Sequence, residues 1–403
     1  MLKLKTLILI SFGHFTGHWY IGVLMLILPL LKSELALSFT QIGLIISIRS
    51  LASAFGNTSS GVIVDLVGKR NLILAVSAAG MGLCWFVMGF AQSYGYFLIL
   101  IPLATTFSNL WHAPAMSFLS ETYPDRKGFV LGIHGMAANM GQSIAPLVVG
   151  LLITWLGWRT ALKLNMAPGV VMAGLLVLLL PRLGSFALKK KSRAAFFALL
   201  KEYILKNPTL LMISTVSAFR TMGQRGIETF LALFLADRVG LDPVWIGIYL
   251  SILTFSSTLP EPLFGWLSDK IGRRAILAVS LTLSGLAVVA ITLVPAGLPM
   301  MVSVGLLGFF HYSLRPIIFA FALDVTPPEI GATTVSYVFA WNQTFSAISP
   351  ILGGFLADAF GLRYAMFFIA GLTLTAALIS ASLKEAHGRS GWAFLKTGAG
   401  DRS

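Results

Sequence analysis

Charged side chains are scarce in this chain: Asp, Glu, Lys and Arg make up 11% of its 403 residues, whereas hydrophobic residues make up 57%. A soluble domain of this length could not bury so much apolar surface, because its surface-to-volume ratio leaves a large part of the chain exposed to water. The scarcity of charge therefore excludes a soluble fold. It predicts a polytopic membrane protein whose main partner is the lipid bilayer.

Acidic residues are especially few, 15 against 29 Lys and Arg, and the formal net charge is +14. An excess of this size would ordinarily favour nucleic acid as a partner. Here, however, the basic residues lie between apolar segments. We therefore expect no nucleic-acid partner and interpret the excess as a signal of membrane topology.

Cysteine pairs and catalytic motifs are also missing. The only cysteine, Cys84, cannot form an intrachain disulfide. The chain has no Gly-x4-Gly-Lys-Ser/Thr phosphate loop, and no metal-ligand spacing or nucleophile–base arrangement stands out. We therefore expect no enzyme activity, no cofactor, no bound metal and no direct use of ATP.

One motif is present twice, 204 positions apart, which indicates that the chain consists of two copies of one half. Each copy combines two glycines, an aspartate and a basic pair between long apolar segments. The first copy contains Gly61, Asp65, Gly68, Lys69 and Arg70, and the second contains Gly265, Asp269, Gly272, Arg273 and Arg274.

The apolar segments predict twelve transmembrane helices, called spans 1 to 12 below, because each is about 20 or more residues long. They cover about 6–31, 40–64, 71–92, 96–120, 128–153, 160–182, 209–235, 243–267, 274–294, 299–324, 331–356 and 361–383. The predicted organisation is a six-helix half over 1–182, a linker with an amphipathic helix over 183–207, a second half over 208–384 and a tail over 385–403.

Lys and Arg concentrate in the loops on one side of the predicted membrane. The other side carries only Lys32, Arg159, Arg238 and Arg363. By the positive-inside rule both termini face the cytoplasm, and the even number of spans agrees with that. We expect a multi-pass protein of a cell (inner) membrane.

The repeated motif resembles the inter-helix loop signature of the major facilitator superfamily. The resemblance implies an all-α fold of two pseudo-symmetric six-helix halves and an alternating-access transporter. It also implies that the two motif copies act in gating on the cytoplasmic side, by pairing their charges in one conformation and separating them in another. The alternative interpretation is that these residues only fix the topology.

Ionisable residues inside the predicted spans are the candidates for function, because lipid penalises a charge that lacks a cavity or partner. Four arginines against two glutamates leave a positive excess that an anionic substrate could neutralise. The alternative is structural: Arg225 pairs with Glu228, and the histidines bind backbone carbonyls near Pro114 and Pro316. The predicted substrate-binding residues are Arg49, Arg220, Arg315, His112, His311, Trp111, Tyr337, Trp341 and Asn342.

Proton coupling needs a side chain that exchanges its proton in the working pH range, which histidine does unaided and glutamate does when desolvated. The candidates are His14, His18, Glu228 and Glu261. The histidines are favoured, because Arg225 is expected to keep Glu228 ionised and Glu261 lies toward the cytoplasmic end of its span.

A narrower resemblance covers short stretches only. The run from His14 to His18 resembles the His-Phe-Thr-Asn-Asp opening of fosmidomycin-resistance-type, drug:proton antiporter exporters, although Gly17 and His18 replace the Asn-Asp pair. The run from Trp111 to Ala115 resembles their His-Pro-Pro-Ala element. These resemblances imply proton-coupled export of a small anionic solute or drug by a monomer. Uptake or uniport of an anionic nutrient, or a non-transporting receptor or enzyme on the same scaffold, remain alternatives.

Overall fold

The computed structural model describes residues 2–67, 69–180, 206–258, 260–327 and 330–383. The predicted tail, all but the last two residues of the predicted linker, and Gly68 of the first motif copy lie outside these ranges. Within them the chain forms helices and turns and no strand, so the predicted all-α fold is confirmed.

Helices cover all twelve predicted spans, and several spans consist of two helices in succession. In the first half the helices are Leu2–Glu34, Phe39–Val67, Arg70–Met88, Tyr94–Asn109, His112–Thr122, Lys127–Leu156, Trp158–Leu164 and Met166–Leu179. In the second half they are Pro208–Leu233, the π-helix Phe234–Arg238, Pro243–Phe255, Pro260–Ile271, Arg273–Leu293, Leu298–His311, Arg315–Asp324, Gly331–Ser346, Ile348–Phe360 and Leu362–Ser382.

Nine of these spans, counted over the described residues, are long and apolar enough to cross a membrane. Spans 4, 7 and 11 are the ones that fall short. Span 4 is interrupted at 110–111 and span 11 at residue 347, while span 7 carries Arg220, Arg225 and Glu228 in mid-helix. Breaks and ionisable groups in mid-span are typical of helices that line a polar cavity rather than face lipid.

The two halves meet where span 2 packs on span 11 and span 5 packs on span 8. A Cβ atom added to Gly43 would lie 2.1 Å from the carbonyl oxygen of Pro350, and one added to Gly247 would lie 2.4 Å from that of Pro146. Glycine permits this close approach because it has no side chain to separate the backbones. The 204-residue repeat relates the two contacts to each other.

A second pair of contacts follows the same symmetry. A Cβ atom on Gly354 would lie 2.5 Å from the carbonyl oxygen of Phe39, and one on Gly150 would lie 2.8 Å from that of Pro243. Phe39 and Pro243 are the first residues of spans 2 and 8, so these crossings lie at the end of the bundle away from the repeated loops. We call all four contacts the glycine seam, its end of the bundle the seam side, and the end with the repeated loops the basic side.

Candidate functional site

A cavity of about 1090 Å³ lies between the two halves. It is on the basic side of the glycine seam, because the helices that form the seam contribute cavity residues from their opposite ends. Residues of spans 1, 2, 4, 5, 7, 8, 10 and 11 line it. Span 3 also reaches it, through Met81 and Trp85.

Most of the predicted site residues reach this cavity. The structure places nine of the predicted substrate-binding and proton-coupling residues on its wall, and they come from seven spans. They are His14, His18, Arg49, His112, Arg220, Glu228, Glu261, Arg315 and Asn342.

Four residues predicted to bind substrate do not line the cavity. Trp111 is 2% exposed and its ring packs over Gly13, where an added Cβ atom would overlap the ring. Tyr337 and Trp341 stack on each other along span 11 with ring centroids 5.8 Å apart, outside the set of lining residues. His311 is fully buried. In this structure these side chains pack against their neighbours, and their role in substrate binding stays a prediction.

His311 and Arg220 instead donate hydrogen bonds to each other's backbone carbonyl groups. The Arg220 guanidinium donates to the carbonyl oxygen of His311 through Nη2 at 2.9 Å, and the His311 ring Nε2 donates to the carbonyl oxygen of Arg220 at 3.1 Å. His311 is the last residue of a helix, where carbonyl groups lack an intrahelical donor. Arg220 therefore connects span 7 to span 10 at the point where the first helix of span 10 ends. Its side chain also faces the cavity.

Arg225 and Glu228 form the buried ion pair that their spacing predicted. Arg225 Nη1 lies 2.5 Å from Glu228 Oε2, and Gln224 Nε2 donates to the other carboxylate oxygen at 2.9 Å. Glu228 is 5% exposed. With both oxygens engaged, this carboxylate is poorly suited to exchange a proton with the cavity.

Arg49 and Arg315 are placed differently. Both line the cavity, and Arg49 is only 7% exposed. Within the described ranges, no carboxylate lies in salt-bridge distance of either side chain. A buried guanidinium without a carboxylate partner is costly, so Arg49 favours an anion in the cavity. Arg315 is exposed and lines the cavity, where its guanidinium can reach an anion.

The predicted pair of histidines is part of a larger group. The ring centroid of His14 lies 4.7 Å from that of His18, 5.3 Å from that of His112 and 4.0 Å from that of His134. His14 Nδ1 donates to the carbonyl oxygen of His134 at 2.9 Å. His14 Nε2, His18 Nδ1 and both ring nitrogens of His134 are buried and have no hydrogen-bond partner in the described structure. We call these four residues the histidine cluster.

In the part of the chain that the structure describes, no group of three or more His, Cys, Asp or Glu side chains is arranged to hold a metal ion. The cluster can accept hydrogen bonds and protons. Its position beside the cavity brings that capacity close to the unpaired guanidinium of Arg315.

Two hydrogen bonds between the halves were missed from the sequence. Asn139 Nδ2 donates to Glu261 Oε2 at 3.2 Å, and Gln343 Nε2 donates to Ser53 Oγ at 2.6 Å. Asn139 and Gln343 occupy equivalent positions of the repeat, as do Asn57, one turn from Ser53, and Glu261. Aligning the two halves residue by residue would have indicated these polar positions, although not their partners.

The repeated loops form ion pairs on the basic side, both with partners outside the motif and, in the second copy, within it. Arg70 makes a two-pronged contact with Glu121 at 2.6 and 3.0 Å, and Arg273 pairs with Asp324. Arg273 also pairs with Asp269 at 3.0 Å, within its own copy of the motif. Arg70 and Arg273 are each the first residue of a helix, and each carboxylate partner follows its arginine by 51 positions. Each pair lies within one half.

On the seam side, by contrast, polar contacts join the two halves. Asp358 of span 11 accepts hydrogen bonds from the backbone N–H groups of Phe39 and Thr40 at 2.8 and 2.9 Å and from the Thr40 hydroxyl at 2.6 Å. It therefore caps the start of span 2, where N–H groups need acceptors and the helix dipole favours a negative charge. Lys32 and Asp237 form a second bridge between the halves at 2.9 Å.

Replacing Asp358 with asparagine should favour opening of the seam side, because one acceptor and the negative charge at the start of span 2 are lost. We expect the closed form to lose about 1 kcal/mol, a roughly fivefold change in population. Spin labels in the loops 89–93 and 294–297 would report the change as a longer distance. Asp242 caps its own helix within one half through Val244 and Trp245, so Asp242→Asn is the matched control. Equal distance distributions in Asp358→Asn and wild type would contradict the prediction.

Known proteins resemble this chain in both sequence and fold. The sequence profile described as Major Facilitator Superfamily matches residues 8–260 and 217–394. Multidrug resistance protein MdtG of Klebsiella pneumoniae (strain 342) is 27% identical over 347 residues, covering 84% of this chain and 82% of that protein. The protein of the same name from Salmonella typhi is 27% identical over 346 residues, covering 84% of each.

Solved structures agree with the fold. A bacterial homologue of the human lysosomal transporter Spinster, in an inward-facing and unoccupied conformation, superposes with a TM-score of 0.81 at 19% identity, covering 94% of this chain and 96% of that one. The nucleoside transporter NupG gives a TM-score of 0.79 at 16% identity, covering 95% of this chain and 98% of that one.

Proposed function

Because this chain belongs to the Major Facilitator Superfamily, and is a multi-pass membrane transporter rather than an enzyme, we propose that it exports a small anionic organic solute or drug by alternating access. The relatives named multidrug resistance protein MdtG support a drug as cargo. The proposed location is the inner membrane, with both termini and the basic side in the cytoplasm, and the proposed active form is a monomer. The cavity then opens to the cytoplasm.

The charge balance of the cavity is the observation that carries this proposal. Four arginines line the cavity, and only Arg225 pairs with a carboxylate in the described part of the chain. Arg220 binds a carbonyl group, while Arg49 and Arg315 form no ion pair among the described residues. An anion between the halves would compensate this charge, and the planar guanidinium suits a carboxylate or phosphate group.

Coupling to protons is the second part of the proposal. The histidine cluster lies beside Arg315, and several of its ring nitrogens are free to accept protons. A proton on the cluster would repel the positive charges around it. His14 and His18 are therefore favoured as coupling residues. Glu261 is the next candidate, since its described hydrogen-bond partner is an amide group on the other half.

Gating on the basic side is proposed for both copies of the repeated loop. The ion pairs at Arg70 and Arg273 now lie within their own halves. Alternating access would bring the basic side together and require these charges to find new partners. Asp65 and Asp269 are the acidic members of the two motif copies and are proposed to take part.

Counterflow in proteoliposomes tests the proposed function. Arg315→Gln should weaken binding of an anionic substrate by about 1.5–3 kcal/mol, because a charged hydrogen bond is lost without a buried ion pair being broken. Exchange of a radiolabelled aromatic carboxylate would be measured in wild type and variant. Wild type that prefers cations or neutral compounds to anions would contradict the anionic assignment.

The same proteoliposomes test proton coupling and the direction of transport. An imposed pH gradient should drive accumulation of the carboxylate in wild type, and His14→Gln should abolish accumulation while exchange continues. Exchange without accumulation in wild type would favour the uniporter alternative. No exchange of any solute would favour a receptor on the same scaffold.

A further inference from the structure

The cavity extends past span 1 into a recess that lies in the first half only. The recess is bounded by spans 1, 3 and 4, and its side chains are apolar. They are Ile21, Leu24, Met81, Trp85, Ile101 and Ala104. Five of the six are no more than 6% exposed, although all of them line the cavity. They therefore form a narrow extension rather than part of the open wall. We call it the apolar recess.

The second half has no corresponding space among its described residues. Span 9 contributes nothing to the cavity wall, although its Gly285 and Val289 are the repeat equivalents of Met81 and Trp85. At Gly308, the equivalent of Ala104, an added Cβ atom would lie 1.9 Å from the carbonyl oxygen of Leu253. Spans 8 and 10 are thus in backbone contact where the first half leaves room. The recess is a departure from the internal symmetry, which indicates a role beyond holding the fold together.

The recess offers flat apolar surface and little hydrogen bonding. The rings of Tyr20 and Trp85 stack with centroids 5.6 Å apart and planes 14° apart. The Tyr20 hydroxyl donates to the carbonyl oxygen of Asn165 and is therefore already engaged. At the mouth, a Cβ atom on Gly17 would have no neighbour closer than 3.7 Å. Aromatic rings stack favourably on such surfaces, whereas a polar group placed there would lose its hydrogen bonds to water.

Three of the four cavity arginines belong to the second half, whereas Arg49 of span 2 lies near Ile21 and Leu24 at the edge of the recess. Arg220 and Arg315 come from spans 7 and 10 of the second half, whereas the recess belongs to spans 1, 3 and 4 of the first. We propose that the substrate is an amphiphilic organic anion that bridges the halves. Its aromatic body fills the apolar recess, and its anionic group faces Arg315. The anionic end rests on the proposed function, and the recess is a separate element of recognition.

Binding of three probes to the full-length protein in detergent, measured by calorimetry, tests this substrate class. The probes are 2-naphthoate, acetate and 2-naphthylmethylammonium. Wild type should bind 2-naphthoate at least roughly tenfold more tightly than acetate, since even small apolar groups change affinity by about this factor in a fitted pocket. Ala104→Leu, which fills the recess, should remove most of that preference. Ala287→Leu is the matched control, because Ala287 of span 9 is as buried as Ala104 but does not line the cavity.

A second variant keeps the test informative if Ala104→Leu does not fold. Gly17→Val narrows the mouth of the recess from a position with space around it, and it should also reduce the preference for 2-naphthoate. The proposal is overturned if wild type does not prefer 2-naphthoate to acetate. It is also overturned if the preference survives in both recess variants or falls equally in Ala287→Leu. Tight binding of 2-naphthylmethylammonium alone, weakened by Ala104→Leu, would overturn the anionic assignment and support the recess.

Discussion

Replacing Gly43 with leucine is expected to abolish transport and to keep the seam side from closing. A Cβ atom at this position already falls 2.1 Å from the Pro350 carbonyl oxygen, so the leucine side chain requires spans 2 and 11 to separate. Overpacking of this kind costs about 1–3 kcal/mol when neighbours can adjust, and backbone adjusts less readily than side chains. The measurement is counterflow together with spin-label distances across the seam side.

Gly371→Leu provides the control for Gly43→Leu. Gly371 is an exposed glycine in span 12, and a Cβ atom added there would have no neighbour within 4 Å, so the same substitution adds a side chain to open space. Transport should continue in this variant. Wild-type distances and exchange in Gly43→Leu would show that the close crossing of spans 2 and 11 is not required for closure.

The second large effect is expected at Glu228. Glu228→Ala leaves Arg225 buried without its carboxylate, and breaking a buried ion pair in this way costs about 3–5 kcal/mol. Thermal unfolding can be followed through the single buried cysteine, Cys84, which reacts with a thiol-specific dye when the fold opens. The variant should unfold at a clearly lower temperature than wild type.

A double variant separates charge from packing at this pair. Arg225→Met combined with Glu228→Met removes both charges and keeps apolar volume, so it should recover most of the lost stability. It should still transport poorly if the pair also serves the substrate. A double variant as unstable as Glu228→Ala would mean that the lost stability arises from packing or from Gln224 rather than from an uncompensated charge.

The overall architecture was predictable because lipid restricts the possible folds. Long apolar segments must be helices, and the duplicated loop indicated two halves. The buried pair of Arg225 and Glu228 was predictable as well, since residues three apart lie on the same face of a helix, where their side chains can meet. These predictions depend on local sequence, which determines local geometry.

Contacts between distant segments were not predictable in the same way. Trp111 is an aromatic residue of the kind that often lines a substrate site. Its ring nevertheless packs against Gly13, about 100 positions earlier in the chain. His134 could not be joined to His14 without knowing that spans 1 and 5 pack together. The apolar recess was likewise invisible, because its residues resemble ordinary core residues in the sequence.

The glycine seam has the geometry of a two-fold symmetric dimer interface. Gly43 of the first half meets Pro350 of the second, and the equivalent Gly247 meets the equivalent Pro146. In such an isologous contact each partner offers the patch that the other requires. Each half therefore carries both the glycine and the proline that these crossings use. The order of the two halves along the chain does not determine how they pair. A substitution of a seam glycine in one half alters only one of the two crossings, either that of spans 2 and 11 or that of spans 5 and 8.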